Sequence, residues 1–514
     1  MNLSRRRSWT PTRLALVVSV ALTSTSIVTA AEKSALAGSD QAQPGASDEK
    51  CKAEIESIRK LYETIPRYFR DMDRPRLAAM TKRVTGCSQQ LQDFLKNCPQ
   101  TSEYADAHYM VARLRMVLAD QYRSQLMTAK TPREELQQLM NEYHQGSRDH
   151  CVIALKKIGD DKSRNELICI AKELVADISF QMDDFDTALQ YYLDVLKHCP
   201  DFEEIGNTVV GTARAYLELR DTTAGLKFIR TAIKERFRNE NLPFFYEIYW
   251  NLLVAHGDID GMIEWSKDVQ SIFPLRMIRE GTTKHEKEGY RRYLGFSGFR
   301  LGYSYFARGD LGSAGEAFTK HIETMDELEQ KMASRNEAIP QELKIYRQRS
   351  LDVLRMIQDN VGEPPASDLD LQEMWVSPTE VKLADNKGKA VAILFRGYED
   401  KRSSGIFQKL DARMANDADQ HAFAAIHYLK GGRDIFNQID KLRNELLSLG
   451  IENSSVGIDP DPTKKSIFRD FKAMVGSATL MIFDRAGQLM WWMQDPRDMD
   501  AQMIINIWDR LAQE

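Results

Sequence analysis

From Cys51 to about Asn360, apolar residues recur three and four positions apart, as in Ile55-Ile58-Leu61-Tyr62 and Tyr109-Val111-Leu114-Val117-Leu118. That spacing gathers them on one face of a helix. No strand-like alternation interrupts the region. Residues 361–385 break the rhythm at the Pro/Gly-containing stretch Val361-Gly362-Glu363-Pro364-Pro365-Ala366-Ser367. Beyond Gly388 the pattern predicts alternating strands and helices. Ala390 to Phe395 is apolar throughout, as in a strand buried on both faces. A helix is expected from Gly405 to Asn416, a strand from Ala422 to Leu429, a helix from Asp434 to Leu449 and a short strand from Ser455 to Asp459. A helix over Ile467 to Val475 follows. Ala478 to Asp484 and Gln488 to Met493 read as a hairpin around Arg485-Ala486-Gly487, and a last helix covers Met499 to Gln513. The expected fold is multidomain: an all-α array and a C-terminal α/β domain.

The helical region contains self-similar units. Asp183-Asp184-Phe185-Asp186-Thr187-Ala188 reads as a tight turn entering a helix, with Ala176 before it, Tyr192 and Val195 after it, and Pro200 at its close. Small residues at 176 and 188 let two antiparallel helices cross closely, Tyr192 fills the space to the next helix, and proline ends the second helix. A second unit holds Ala213, Tyr216, Asp221, Gly225, Ile229 and Ala232. A third reads Gly257-Asp258-Ile259-Asp260-Gly261-Met262, with Pro274 at its expected end. A fourth has Gly302, Tyr305, Gly309-Asp310-Leu311, Ala314 and Phe318. Positions 188, 225, 262 and 314 are spaced by 37, 37 and 52, so the repeats are irregular. The pattern resembles the tetratricopeptide repeat, with a period of ~34 residues. That resemblance implies stacked hairpins with a concave groove for a protein or peptide partner; the alternative is a spacer that places the C-terminal domain.

Composition changes the picture at the N-terminus. Arg5, Arg6, Arg7 and Arg13 precede the apolar run Leu14 to Leu22, and a small, polar stretch ends in Ile27-Val28-Thr29-Ala30-Ala31. This is the order of a secretory signal peptide, with cleavage expected after Ala30. An uncleaved anchor is disfavoured because the run falls short of the ~20 residues a span needs. Removing those arginines takes the net charge from −5 to −9. An acidic chain of this kind is a poor nucleic-acid binder. The expected location is the bacterial periplasm or the exterior, with no transmembrane segment in the mature chain. Cysteines at 51, 87, 98, 151, 169 and 199 permit up to three disulfides in an exported chain, with connectivity open. None follows Cys199.

The α/β order is that of the thioredoxin fold. Val361-Gly362-Glu363-Pro364 followed by Gly388-Lys389-Ala390-Val391 resembles the entry to TlpA-like and peroxiredoxin-like (redoxin) domains. Val456-Gly457-Ile458-Asp459 and Ile482-Phe483-Asp484-Arg485-Ala486-Gly487 resemble their third strand and their hairpin. In that family the first long strand runs into Trp-Cys-x-x-Cys. Here Phe395 leads into Arg396-Gly397-Tyr398-Glu399-Asp400-Lys401-Arg402-Ser403, and Asp400 and Ser403 stand where the resemblance puts the two cysteines. Dithiol exchange needs a thiolate and a resolving thiol. The family's cis-proline is also replaced: Ala478 stands there, before Thr479, and a cis bond without proline costs about 3 kcal/mol. Tyr398, Glu399, Asp400, Lys401, Arg402, Ser403, Ala478 and Thr479 thus mark a vestigial active-site loop. One reading makes it a solvated loop with Ser403 or Ser404 capping the next helix; another makes it a remodelled recognition edge.

These readings divide the chain into a signal peptide (1–30), a flexible leader (31–50), a helical region (51–160), tetratricopeptide-like repeats (161–335), a helix and linker (336–385) and a thioredoxin-like domain (386–514). His144 with His150, and His421 with His427, lack zinc-type spacing and read as solvated or core residues. No metal site, cofactor or catalytic residue is expected. Asp459-Pro460-Asp461-Pro462 reads as a turn. Trp491 and Trp492 point to opposite faces of a strand, one into the core and one toward a contact surface. Function is expected to be that of an exported interaction or scaffold protein with a redox-inactive domain. The alternative is a thiol-disulfide or peroxide oxidoreductase using helical-region cysteines.

Overall fold

The structure is a computed structural model. It describes residues 48–514 except 66–73, 127–132, 160, 236–239, 278–283, 335–339, 366–368, 370–374, 378–380, 398–399, 401–402, 429–434, 460–470, 472, 474–477 and 497–499. The expected signal peptide and nearly all of the leader lie outside the described residues, as does most of the helix expected over Ile467 to Val475. The described residues form two compact units, one running to Ala215 and one starting at Tyr216. None of the described helices is long and apolar enough to cross a membrane.

The first unit is helical: α1 (Asp48–Glu63), α2 (Arg74–Asn97), α3 (Tyr104–Leu126), α4 (Arg133–Ile158), α5 (Asn165–Gln181), α6 (Phe185–His198) and most of α7 (Ile205–Glu218). Disulfides join Cys51 to Cys98 and Cys169 to Cys199. The two bonds occupy matching places. Each ties the early part of a hairpin's first helix to the residue just past its second helix, and a proline follows in both cases, Pro99 and Pro200. Cys87 and Cys151 are free thiols and fully buried.

The second unit opens with more helices: α8 (Thr222–Glu235), α9 (Leu242–His256), α10 (Ile259–Met277), α11 (Lys284–Arg308), α12 (Leu311–Ala333) and α13 (Gln341–Asp359). Four of the interhelical turns share one geometry. In each, a residue with left-handed backbone (Asp183, Arg220, Gly257, Gly309) precedes an aspartate. The aspartate amide bonds back five residues, to Ser179, Tyr216, Leu253 and Tyr305 respectively. Asp184, Asp221, Asp258 and Asp310 then each accept the amide three residues on. One hydrogen-bonding scheme thus closes one helix and caps the next. Pro274 departs from expectation: it lies inside α10, which continues to Met277.

The C-terminal part carries β1 (Ala390–Gly397), α14 (Ser404–Asn416), β2 (His421–Tyr428), α15 (Ile435–Leu449), β3 (Ser455–Asp459), β4 (Thr479–Phe483), β5 (Leu489–Gln494) and α16 (Ala501–Gln513). The sheet order is β3-β2-β1-β4-β5. Strands β1, β2 and β3 are parallel, while β4 and β5 run antiparallel. This is the thioredoxin-like arrangement, with β1 central. Every residue from Ala390 to Arg396 is buried, which accounts for the unbroken apolar run. Buried Asp411 on α14 accepts the backbone amides of Asn453 and Ser454 at 3.0 and 2.7 Å, fixing the entry to β3.

Helix α16 joins the sheet to the helices of the same unit. Trp508 donates to the Ala390 carbonyl at 3.0 Å. From other positions of α16, Asn506 donates to the Gly257 carbonyl at the end of α9, and Arg510 donates to the Ala307 and Arg308 carbonyls that end α11. Donors at helix C-termini satisfy carbonyls that have no partner within the helix. Trp491 of β5 packs its ring 6.0 Å from Tyr303 and 6.4 Å from Phe306, both on α11. The contact surface expected of one tryptophan is thus the one Trp491 makes with α11. Trp491 and Trp492 are both buried, because α11 covers the sheet face that would otherwise meet water.

Candidate functional site

The carboxyl ends of β1, β2 and β3 meet at one sheet edge, where open α/β folds usually bind ligands. The loop from β1 into α14 leaves this edge. Of its residues, Tyr398, Glu399, Lys401 and Arg402 lie outside the described set, while Asp400 and Ser403 are within it. Ser403 is fully buried and donates its hydroxyl to the Asp400 carboxylate at 3.1 Å. A carboxylate–hydroxyl hydrogen bond thus spans the two positions that the redoxin resemblance assigns to sulfur. The capping expectation is corrected here as well. Ser403 is the N-cap of α14 but makes no side-chain cap bond, because its hydroxyl is committed to Asp400.

Sequence reasoning missed the residue that organises this loop. Arg396 ends an apolar run and reads as the first polar residue of an exposed loop, yet its side chain is completely buried. Its Nη2 donates to the Asp400 carbonyl at 2.7 Å, to Ser404 Oγ at 3.3 Å and to Glu445 Oε1 of α15 at 2.9 Å. One nitrogen therefore pins Asp400, the start of α14 and α15 together. Burial lowers the pKa of Arg396, and Glu445 opposes that shift. The solvated-loop reading fails for buried Ser403, while half-buried Asp400 is held by the cation. The only available signal was the arginine's position directly after a six-residue apolar strand.

Beside it, Gly397 faces Tyr428, and a Cβ there would come within 2.9 Å of the tyrosine hydroxyl. A larger residue at 397 would require the Tyr428 side chain to shift. Thr479 pairs with Phe395 across β1 and β4 and is fully buried. Ala478 is buried and its carbonyl accepts the Asp495 amide at 2.6 Å. The peptide bond before Ala478 involves Ser477, which lies outside the described residues. Asp459 ends β3, and the rest of the Asp-Pro-Asp-Pro turn is outside the described set.

The residues expected at helix crossings fall into two groups. In the first unit, Ala176, Ala188 and Tyr192 form one buried cluster. Tyr192 donates to Asp177 at 2.6 Å, Ala213 is buried, and Pro200 is exposed just past Cys199. In the second unit, Gly302 lies under Phe318, where a Cβ would come within 2.8 Å of the ring. Gly225 meets Leu252 as closely. Ala314 and Phe318 are buried, while Tyr305 is half-buried under Arg308 and Lys267. An open groove of about 1140 Å³ in the first unit is lined by Arg123, Gln137, Gln138, Asn141 and Gln145, among others.

His144, His150, His421 and His427 are core residues rather than solvated ones, whereas His198 and His256 are exposed. His108 and His150 approach Nδ1 to Nδ1 at 2.7 Å, and His144, His421 and His427 are buried. Among the described residues, no three His, Cys, Asp or Glu side chains are grouped to hold a metal ion. Desolvation raises the Cys87 thiol to about 11 and moves Cys151 further up, so both are held as thiols.

No protein-family model and no curated protein matches the chain. Solved structures do. A thioredoxin-like superfamily protein is 24% identical, with 29% of this chain and 97% of that one covered at a TM-score of 0.25. A thiol-disulfide isomerase from Corynebacterium glutamicum is 19% identical, with 29% and 97% covered at 0.25. A putative thiol:disulfide interchange protein DsbE from Chlorobium tepidum is 18% identical, and the match covers 30% of this chain and 98% of that one at a TM-score of 0.24.

Proposed function

We propose that this is an exported protein whose thioredoxin-like domain no longer performs thiol exchange and serves instead as a fixed module of an interaction or scaffold protein. One observation carries the reading. The loop where a redoxin would present its thiols is held by Ser403–Asp400 and by buried Arg396, and no cysteine follows Cys199. The cysteines that remain are either joined in disulfides or buried as thiols. Two disulfides fit an oxidising compartment and so support export. The helices read as tetratricopeptide-like hairpins, supported by the four equivalent Asp-capped turns and the small-residue crossings. The groove on the helices of the first unit, lined by Gln137, Gln138, Asn141 and Gln145, is the partner-binding surface in this reading, with a protein or peptide as the occupant.

The test is cross-linking of the full-length, tagged chain in the envelope of its producing cell, beside an Asn141→Trp variant. Asn141 is an exposed lining residue of the groove, so the change fills the groove and spares the core. A defined partner captured by the wild type and lost from the variant is the expected result. Equal capture by both, or capture by neither, contradicts a binding role for the groove.

A further inference from the structure

Arg396 and His427 are direct partners in the parallel register of β1 and β2. Side chains at paired positions rise on the same face of a sheet. Both residues are fully buried. The Phe407 ring of α14 lies 5.5 Å from the guanidinium carbon and 6.0 Å from the imidazole centroid, so both polar groups sit against one aromatic wall. All three acceptors described above crowd onto Nη2 of Arg396. Its Nε and Nη1 have no hydrogen-bond partner, and neither ring nitrogen of His427 has one.

Four orphaned polar atoms in one buried neighbourhood are unusual, because an unsatisfied buried polar group is destabilising, and more so where it is charged. Their chemistry has a sign. Guanidinium nitrogens only donate, and a neutral imidazole offers one N–H and one acceptor nitrogen, so three of the four orphaned atoms are donors. Burial, with the nearby Arg396, holds His427 in its neutral form. The N-terminus of the 13-residue helix α14 begins at Ser404, which Arg396 touches, and brings further amide donors and the positive end of the helix dipole. Glu445 and the Asp400 carbonyl engage the guanidinium only through Nη2, so the other nitrogens remain for an acceptor.

We infer that Arg396 and His427 form a buried binding site for a small inorganic anion of halide size, held by an orphaned N–H of the guanidinium and the imidazole N–H. Such an anion lies next to the contact that Arg396 makes with Asp400. It replaces the redox centre of a redoxin with a structural ion.

The full-length protein tests this in two ways. Crystals grown in bromide are expected to show an anomalous peak between Arg396 and His427; a water molecule there, or no peak, overturns the site. In solution, the melting temperature is followed while sodium chloride replaces sodium gluconate at constant ionic strength. A saturable rise of a few degrees is expected for the wild type, with loss of the rise in Arg396→Lys and His427→Phe. No chloride-specific rise in the wild type, or the same rise in the variants, overturns it. If the variants do not fold, the bromide experiment decides alone.

Discussion

Ser403 gives its hydroxyl hydrogen to the Asp400 carboxylate at 3.1 Å, closing the loop after β1 with a hydrogen bond instead of a disulfide. Asp400 is held in turn by Arg396, which reaches across to Glu445. Asp400 and the start of α14 are therefore tied to the core of the domain through one cation.

That chain of contacts makes Glu445 more important than its half-buried position suggests. Glu445→Leu leaves the buried guanidinium without its counter-charge. Removing one partner of a buried pair costs ~3–5 kcal/mol; the partial exposure of Glu445 brings the expected loss to ~2–3 kcal/mol. Urea unfolding measures it. A loss below about 0.5 kcal/mol would show that Arg396 does not depend on this partner.

The contact between Trp491 and α11 predicts coupled unfolding within the second unit. Trp491 is fully buried against Tyr303 and Phe306, so Trp491→Ala is expected to cost ~3–5 kcal/mol. The larger effect should be on cooperativity. In the variant, limited proteolysis is expected to release a fragment beginning between residues 361 and 389 well before the wild type does. Identical digestion of the two proteins contradicts the docking.

Thiol chemistry can be counted directly. Alkylation of the folded protein should label no cysteine, because Cys87 and Cys151 are buried and the other four are bonded. Denaturation without reductant should expose two thiols, and denaturation with reductant six. Opening the Cys169–Cys199 bond is expected to cost ~3–4 kcal/mol for a loop of 30 residues. Mass spectrometry of the labelled chain gives the count.

Stability should fall toward acid. Burial lowers His108, His144 and His321 to about 4, and lowers His150 and His427 well below the usual imidazole value. The unfolded chain binds these protons near 6.5, whereas the folded chain resists them. Their contribution is complete above about 6.5 and is lost as the pH drops toward 4, by up to ~3 kcal/mol for each such histidine. Glu173 and Asp177 work in the opposite sense. Desolvation raises Glu173 to about 8 and Asp177 to about 6, so what they contribute is present in acid and lost as the pH rises through those values. Glu173→Gln is accordingly expected to stabilise the protein at pH 8, by on the order of 1 kcal/mol after solvent screening. Urea midpoints between pH 4 and 9 test both arms. A flat profile contradicts the burial of these groups.

Much of the C-terminal domain was legible from pattern alone. Strand β3 runs from Ser455 to Asp459 as expected, and β1, β2, β4 and β5 begin or end within two residues of the expected limits, because continuous apolar runs leave a buried strand few alternatives. Arg396 was not legible, since its place after an apolar run does not by itself distinguish a buried arginine at a strand end from a solvated one. The partner of Trp491 was hidden for another reason: it lies nearly 190 residues away, and period-two alternation says only that a side chain leaves the sheet, not what it meets. The helical turns were legible through Asp184, Asp221, Asp258 and Asp310. Their shared left-handed residue was masked because Asp183 and Arg220 occupy it where glycine would be the usual signal.

The central claim is that this domain keeps a reductase-like architecture without reductase chemistry. The most direct measurement is turnover by the purified, full-length oxidised and reduced protein in insulin-reduction and peroxide-consumption assays, with Cys-to-Ser variants at all six positions as controls. The account predicts rates indistinguishable from the buffer blank in every case. Turnover that disappears in any one of those variants would contradict it.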